Sequence, residues 1–326
     1  MLKRRSLAAC VCAVIAATPG LAYSQTNETY PARPIRIIVP FAAGGPADVV
    51  AREIAQVLGK DLGRSLLIEN AGGGAGVPAL NAVSRSPADG YTLLFAASGN
   101  VVIQPLLTKN RVDVLTQLAP IGMVTSSPHV LVVSSTLPVR TVAELVTYAK
   151  AHPGEVNFAS AGVGGVAHLS AELFKRATDI EARHVPYKGT SQAMTDMASG
   201  QVQAMFSSLP SMKGMVDKGV LRVIGITAAS PSGAYKGIPV IKDSGVPNFE
   251  YNTWYGLYGP AALPQPVIAR LSQALAKLKS DAAFAERLRS QGVDLHVSTA
   301  AELAERTRKE TAQWDKAIRD ARIELN

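Results

Sequence analysis

Cysteine is almost absent from this chain of 326 residues, and both copies, Cys10 and Cys12, fall within the first 24 residues. That segment has a basic start, an apolar stretch over 6–18 and small residues before Ser24, which is the pattern of a cleaved export signal. The apolar stretch is shorter than the roughly 20 residues that a membrane-spanning helix needs. The mature protein would therefore have no thiol for a disulfide, a metal site or catalysis.

A concentrated basic patch is also missing. Loss of Lys3, Arg4 and Arg5 with the signal lowers the net charge from +8 to +5, and the remaining Lys and Arg residues are scattered. A modest, dispersed positive charge fits attraction of small anions better than nucleic-acid binding. The five histidines have no metal-binding spacing, and no G-x-S-x-G motif is present. We therefore predict no nucleic-acid partner, no metal, no cofactor and no hydrolase.

What the chain does have is a repeated strand, glycine turn and helix. Ile35–Val39 is β-branched and nearly continuous, which is typical of a strand buried on both faces of a parallel sheet. Gly44 and Gly45 then precede Pro46, which suits the first helical position. A helix N-terminus offers unpaired N–H groups and a partial positive charge, so this turn is a candidate anion site.

Four further turns rich in small residues follow predicted strands, at 71–76, 97–100, 161–165 and 187–191. Strands alternating with helices predict an α/β protein with parallel sheets. Ligands bind outside the carboxyl ends of such strands, so turns from two sheets would face each other across a cleft. These turns offer N–H and hydroxyl donors, with Lys188 as their only cation.

The length indicates two lobes, because single cores stop growing at about 250–300 residues. We predict that residues 25–122 and 253–326 form lobe 1 and that residues 123–252 form lobe 2. The chain would cross between the lobes near 120–126 and 249–256. Helices that begin at Thr141 and at Ser298 or Thr299 each have a glutamate placed to complete a capping box.

Several motifs, in their order along the chain, resemble those of Bug-type receptors, the substrate-binding receptors of tripartite tricarboxylate transporters. The matching segments are Tyr30-Pro31, Arg33-Pro34-Ile35, Pro40-Phe41 with Gly44-Gly45 and Asp48, Asp89-Gly90-Tyr91-Thr92-Leu93-Leu94, Ser160-Ala161-Gly162 with His168-Leu169, Val185-Pro186-Tyr187-Lys188-Gly189 and Gly200-Gln201-Val202.

The resemblance implies a type II periplasmic binding protein fold, in which two parallel-sheet lobes close around a carboxylated solute like a Venus flytrap. It also implies a monomeric, periplasmic receptor, not an enzyme, that delivers the solute to membrane permease subunits. In this family backbone amides, hydroxyls and two waters hold one carboxylate. The matching positions that we expect to bind ligand are Phe41, Gly44, Gly45, Ser98, Asn100, Ser160, Ala161, Gly162, Val163, Tyr187, Lys188, Gly189, Thr190 and Ser191.

The position after the strand near 202–206 bears on the ligand. Relatives that bind amino acids often have Asp there, whereas this chain has Ser207 followed by Ser208. A ligand ammonium would lack a partner, and a buried unpaired charge is costly. We therefore expect Ser207 to contact a dicarboxylate or an aromatic acid.

Other residues have a structural interpretation beside a functional one. We interpret Asp48 as a residue that fixes its loop, His168 as a packing or capping residue, and Trp254 and Tyr255 as packing between the lobes. Lys188 has two open interpretations, a contact to a second carboxylate or a solvated side chain.

The sequence leaves two alternative functions open. Segments 74–79 and 162–167 fit the dinucleotide pattern G-x-G-x-x-A, although no acidic residue for a ribose stands about 20 residues on. A nucleotide-dependent enzyme is thus a weaker alternative. A sensor that reports its bound solute to a signalling partner is the other.

Overall fold

The computed structural model describes residues 30–107, 113–187, 189–231, 233–290 and 292–321. The predicted export signal and Lys188 lie outside these ranges. The described chain forms two five-stranded sheets. The strands are β1 Ile35–Val39, β2 Leu66–Asn70, β3 Thr92–Ala97, β4 Leu118–Pro128, β5 Val130–Ser134, β6 Asn157–Ser160, β7 Arg183–Pro186, β8 Ala204–Ser207, β9 Leu221–Ile226 and β10 Asn252–Pro260.

The first sheet has the order β2-β1-β3-β10-β4, and the second has the order β7-β6-β8-β5-β9. In the first sheet β1 is parallel to β2 and β3, while β10 is antiparallel to β3 and β4. In the second sheet β6 is parallel to β7 and β8, while β5 is antiparallel to β8 and β9. The two sheets thus share one topology.

The expectation of purely parallel sheets is wrong for one strand in each sheet. A parallel neighbour needs a crossover that carries the chain back to its starting edge. β5 and β10 instead arrive from the other sheet, so each pairs antiparallel with its neighbours. The predicted α/β class and two-lobed arrangement are confirmed, with mixed sheets.

The helices are placed close to their predicted positions. Thr141 Oγ1 accepts from the Glu144 N–H at 3.1 Å, and Thr299 Oγ1 accepts from the Glu302 N–H at 3.2 Å, so both predicted N-caps are confirmed. The helices are α1 Pro46–Leu62, α2 Val77–Ser84, α3 Gln104–Leu107, α4 Val114–Gln117, α5 Val142–Ala151, α6 Val166–Thr178, α7 Thr190–Ala198, α8 Leu209–Asp217, α9 Gln265–Lys277, α10 Ala282–Ser290 and α11 Ala300–Ala321.

β1 and α1 form the centre of the first lobe's core. Ile35, Ile37 and Val39 pack with one face of α1, which buries Val50 and Ile54. Each fully buried side chain of this size contributes about 1.5–3 kcal/mol relative to exposure. This burial fixes the end of β1 and the start of α1, and therefore the turn between them.

Two long strands connect the lobes. β4 pairs with β10 along its length, and only His129 separates β4 from β5. Trp254 on β10 is fully buried and donates its indole N–H to Glu310 Oε2 at 2.8 Å. Trp254 is therefore a buried packing residue that contacts α11 of the predicted first lobe, while its packing between the lobes stays a prediction. The exact limits of the two lobes, 25–122 with 253–326 and 123–252, stay a prediction.

Candidate functional site

A cleft of about 460 Å³ lies between the two sheets. Turns that follow β1 and β3 line it from the first lobe, and turns that follow β6 and β8 line it from the second. The carboxyl ends of parallel strands therefore meet at one site. The first-lobe lining includes Phe41, Ala97, Gly99, Asn100, Gln104, Thr125, Ser127, Thr253 and Tyr255; the second-lobe lining includes residues 161–167, Thr190 and residues 205–208.

The described lining contains no Lys, Arg, Asp or Glu. Three helix N-termini border it instead: α6 begins after Gly165, α7 begins at Thr190 and α8 begins after Ser208. None of these three helices has a side-chain cap bond. Their first-turn N–H groups can therefore serve a ligand or water, and each helix end carries roughly half a positive charge.

The turn after β1 is held by an ion pair between the buried Asp48 and the exposed Arg52. Asp48 Oδ2 accepts from the Gly44 N–H at 2.9 Å and from Arg52 Nε at 3.0 Å. Asn70 Nδ2 donates to the Phe41 carbonyl at 3.2 Å from the neighbouring strand. Phe41 reaches the cleft, where its ring meets Tyr255 edge-on at 6.5 Å. Gly44 and Gly45 are outside the lining, and Gly44 gives its N–H to Asp48.

Asp48 is ionised in this setting. The hydrogen bond from the Arg52 side chain is the main reason that its pKa is lowered from 3.8 to about 2, and the Gly44 N–H acts in the same direction. The carboxylate is 4% exposed and bound to its own loop. The interpretation of Asp48 as a loop-fixing residue is confirmed.

The turn after β6 presents three predicted residues, Ala161, Gly162 and Val163, to the cleft. Gly162 has a φ of +138°, which L side chains rarely adopt, so glycine allows this backbone path. Val163 is 52% exposed although it is apolar. Ser160 is fully buried behind the turn, where its Oγ donates to the Gly162 carbonyl at 2.8 Å.

The turn after β7 places one predicted residue in the lining, Thr190. Tyr187 is directed elsewhere, since its hydroxyl donates to Asp196 Oδ2 at 2.8 Å. Gly189 and Ser191 are not among the lining residues. Because Lys188 lies outside the described residues, both interpretations of its side chain stay open.

The turn after β3 is tightly built. Asn100 lines the cleft, and its Oδ1 accepts from the Ala97 N–H at 3.2 Å. Gly76 packs against it so closely that an added Cβ would lie 2.6 Å from Asn100 Nδ2. Ser98 is buried and outside the lining, at the start of a π-helical turn, Gly99–Ile103. On the second lobe, Ser207 ends β8 and lines the cleft at 7% exposure.

Sequence reasoning missed a row of residues on the connecting strands. Thr125 and Ser127 on β4 and Thr253 on β10 line the cleft, together with His129. Alternation along a strand turns every second residue toward one face, and this signal could have found them. Tyr255, interpreted as packing, does stack on Phe95 at 5.3 Å, but it also lines the cleft.

His129 is neutral at this site. Burial lowers its pKa to about 4, and its Nε2 lies 2.9 Å from Thr253 Oγ1. The cleft floor is thus polar but carries no charge at neutral pH. Of the fifteen predicted binding residues, those that line the cleft are Phe41, Asn100, Ala161, Gly162, Val163, Thr190 and Ser207.

Within the described ranges, no helix is long and apolar enough to cross a membrane. In the same residues no group of three or more His, Cys, Asp or Glu side chains is placed to hold a metal ion.

Known proteins are similar to this chain in both fold and sequence. Residues 50–323 match the family model described as the tripartite tricarboxylate transporter family receptor, TctC. Protein BugT of Bordetella pertussis is 32% identical over 317 residues, which cover 97% of each chain. The structure of Rpa4515 from R. palustris with adipate is 31% identical with a TM-score of 0.82, covering 90% of this chain and 99% of that one. MatC from Rhodopseudomonas palustris with bound malate is 27% identical with a TM-score of 0.77, covering 89% of this chain and all of its own.

The two lobes and the cleft between them define a periplasmic-type solute-binding protein, and its structural neighbours are such proteins and not enzymes. The chain belongs to the tripartite tricarboxylate transporter receptor family. It is therefore a solute receptor, which removes the nucleotide-dependent enzyme as an alternative.

Proposed function

We propose that this receptor binds a small organic acid in the cleft and delivers it to the membrane permease subunits of a tripartite tricarboxylate-type transporter. The observation that carries the proposal is the convergence of the α6, α7 and α8 N-termini on a cleft whose described lining has no charged side chain. Oriented N–H groups bind a carboxylate there without a permanent counterion.

One carboxylate sits between the two lobes in this proposal. Phe41 and Asn100 flank the carboxylate on the side of the first lobe. Ala161, Gly162 and Thr190 flank it on the side of the second lobe. Because the contacts come from both lobes, the ligand binds the closed state better than the open one and shifts the population toward it. A micromolar dissociation constant would correspond to about 8 kcal/mol.

The rest of the ligand faces Thr125, Ser127, His129, Thr253 and Ser207, which are polar and uncharged. An ammonium group finds no carboxylate among these described residues. A dicarboxylate or an aromatic acid is therefore favoured over an amino acid. The adipate and malate in the two R. palustris structures support this choice of class.

The proposed location of the receptor in the cell follows from its predicted export signal and from its family. We propose that residues 1–24 direct export, that cleavage occurs near Ser24 and that the mature receptor acts as a monomer in the periplasm. The segments 25–122 with 253–326 and 123–252 would form its two lobes. No nucleic acid or cofactor takes part.

The test is a calorimetric screen of purified mature protein against adipate, malate, benzoate and aspartate. Binding of at least one of the first three acids, with aspartate weaker by tenfold or more, is expected. Binding of aspartate as tightly as the best of the others would contradict the ligand class. If none of the four acids binds, the proposal of a carboxylate-binding site in this cleft is contradicted.

A further inference from the structure

A pair of histidines lies directly behind the turn at 161–165. His168, near the start of α6, accepts the Gly164 N–H at its Nδ1, with an N···N distance of 3.0 Å. His184 on β7 stacks on His168, with ring centroids 3.8 Å apart. The pair is outside the cleft lining and does not touch the space that a ligand would fill.

Both rings are tied to the same turn. His184 Nε2 lies 2.6 Å from Ser160 Oγ, and that hydroxyl donates its proton to the Gly162 carbonyl. Ser160 Oγ has only one proton to donate, so His184 is the donor in its contact with Ser160. His168 must be the acceptor toward Gly164, because the Gly164 N–H cannot accept. Nδ1 of His168 therefore carries no proton, and the ring is neutral.

The Gly164 residue also contacts the opposite lobe. Gln104 on α3 donates through Nε2 to the Gly164 carbonyl at 3.2 Å. Gly164 has a φ of +77°, so its two hydrogen bonds depend on a left-handed backbone. Its N–H is fixed from behind by His168, and its carbonyl meets Gln104 from across the cleft.

We propose that His168, held by His184, is a positioning residue that fixes Gly164 for the Gln104 bond, and that closure of the cleft requires His168 to be uncharged. A proton on Nδ1 would place two N–H donors against each other and break the Gly164 contact. The turn that lines the cleft would then lose its support, and ligand affinity would fall. This inference rests on the proposed function only in its last step.

The charged groups around the pair set the direction of the pH effect. Glu172 Oε1 lies 3.7 Å from His168 Nε2 and accepts from Lys175 Nζ at 2.6 Å. Burial is the main reason that the pKa of His168 is lowered, with Glu172 opposing it and Lys175 adding to it. Burial, His168 and Lys175 lower the pKa of His184 to about 4. Both rings are therefore neutral at pH 7, and protonation becomes important only as the pH falls below the usual histidine range.

The first test needs no ligand. In deuterated, ¹⁵N-labelled protein at pH 7, we expect a scalar coupling across the hydrogen bond between Gly164 N and His168 Nδ1, and its loss on acidification. A missing coupling at pH 7 would overturn the proposal. Loss of this bond without any shift of the Gln104 side-chain amide resonance would overturn its link to closure.

The second test uses adipate as the probe and compares proteins at the same pH, so that ionisation of adipate cancels. His168→Asn keeps an acceptor near the Nδ1 position, so it should bind within about threefold of wild type at pH 7 and lack the extra loss of affinity at acidic pH. His168→Leu removes the acceptor and should bind about fivefold to tenfold more weakly at pH 7.

His152→Gln is the matched control, because His152 is an exposed histidine at the end of α5. It should follow the wild-type pH profile. An unchanged profile in His168→Asn would overturn the positioning role. If wild type does not bind adipate, the same comparison is made with the acid that binds best in the calorimetric screen, and the coupling experiment decides the role of His168 without any ligand.

Discussion

Asp48→Asn should destabilise the protein, because it removes the ion pair between Asp48 and Arg52. The carboxylate is 4% exposed and contacts Arg52 at 3.0 Å, while the Arg52 side chain is 54% exposed. A drop in pKa from 3.8 to about 2 in the folded state corresponds to about 2 kcal/mol of stability at pH 7, and partial solvation of Arg52 lowers this to about 1–2 kcal/mol.

The sign of the pH dependence follows from the lowered pKa of Asp48. Between about pH 4 and pH 2 the unfolded chain binds the proton and the folded chain does not, so the stability from the ionised carboxylate is lost as the pH falls. The difference in unfolding free energy between wild type and Asp48→Asn should therefore shrink to roughly half by pH 3. Urea unfolding followed by circular dichroism at pH 7, 5 and 3 measures this difference.

Asp217→Asn provides the control for this experiment. Asp217 pairs with Lys213 at 2.8 Å, but the two side chains are 58% and 64% exposed. An exposed pair on a helix contributes about 0.3–0.5 kcal/mol, so this variant should change little. A pH-independent difference for Asp48→Asn, or an equal effect of Asp217→Asn, would refute the assigned role of Asp48.

Other substitutions test the cleft and the core. Thr190→Val removes one lining hydroxyl, so it should weaken binding of the best acid in the calorimetric screen by about threefold to tenfold without lowering Tm. Ser191 is exposed and outside the lining, so Ser191→Ala should have no effect on the same titration. Gly122→Ala should lower Tm, because the added Cβ would lie 2.8 Å from a backbone carbonyl oxygen. The added Cβ of Gly214→Ala in α8 meets nothing within 4 Å, so this variant should be more stable than wild type by about 0.5–1 kcal/mol through its higher helix propensity. A larger Tm loss in Gly214→Ala than in Gly122→Ala would contradict both packing arguments. Ser207→Asp should weaken dicarboxylate binding by tenfold or more, and equal affinity would show that Ser207 does not face the ligand.

The repeated strand, glycine turn and helix was predictable because local signals agree over 35–62. A β-branched strand, two glycines and a proline at the first helical position all point to one structure. The caps at Thr141 and Thr299 were predictable for the same reason, since each depends on residues three apart in sequence.

The strand directions and the cleft floor were not predictable from such signals. β5 and β10 read as ordinary apolar strands, and their antiparallel pairing depends on the sheet from which they arrive. The lining residues Thr125, Ser127 and Thr253 meet only through the pairing of β4 with β10, which joins positions more than 120 residues apart. The use of the Gly44 N–H by Asp48 is likewise a tertiary detail that a glycine pattern does not reveal.

The reliance of the described lining on helix ends in place of lysine or arginine affects how the receptor responds to its surroundings. Helix dipoles that point into a partly buried cleft are less screened by dissolved ions than exposed charges are, because attraction between exposed charges weakens within a Debye length of about 8 Å at physiological ionic strength. A protein outside the cytoplasm meets salt concentrations that the cell does not set. In the proposed mode of binding, capture by fixed dipoles would keep the affinity nearly constant as osmolarity changes, and it would also leave the bound acid without a permanent ion partner to separate from on release.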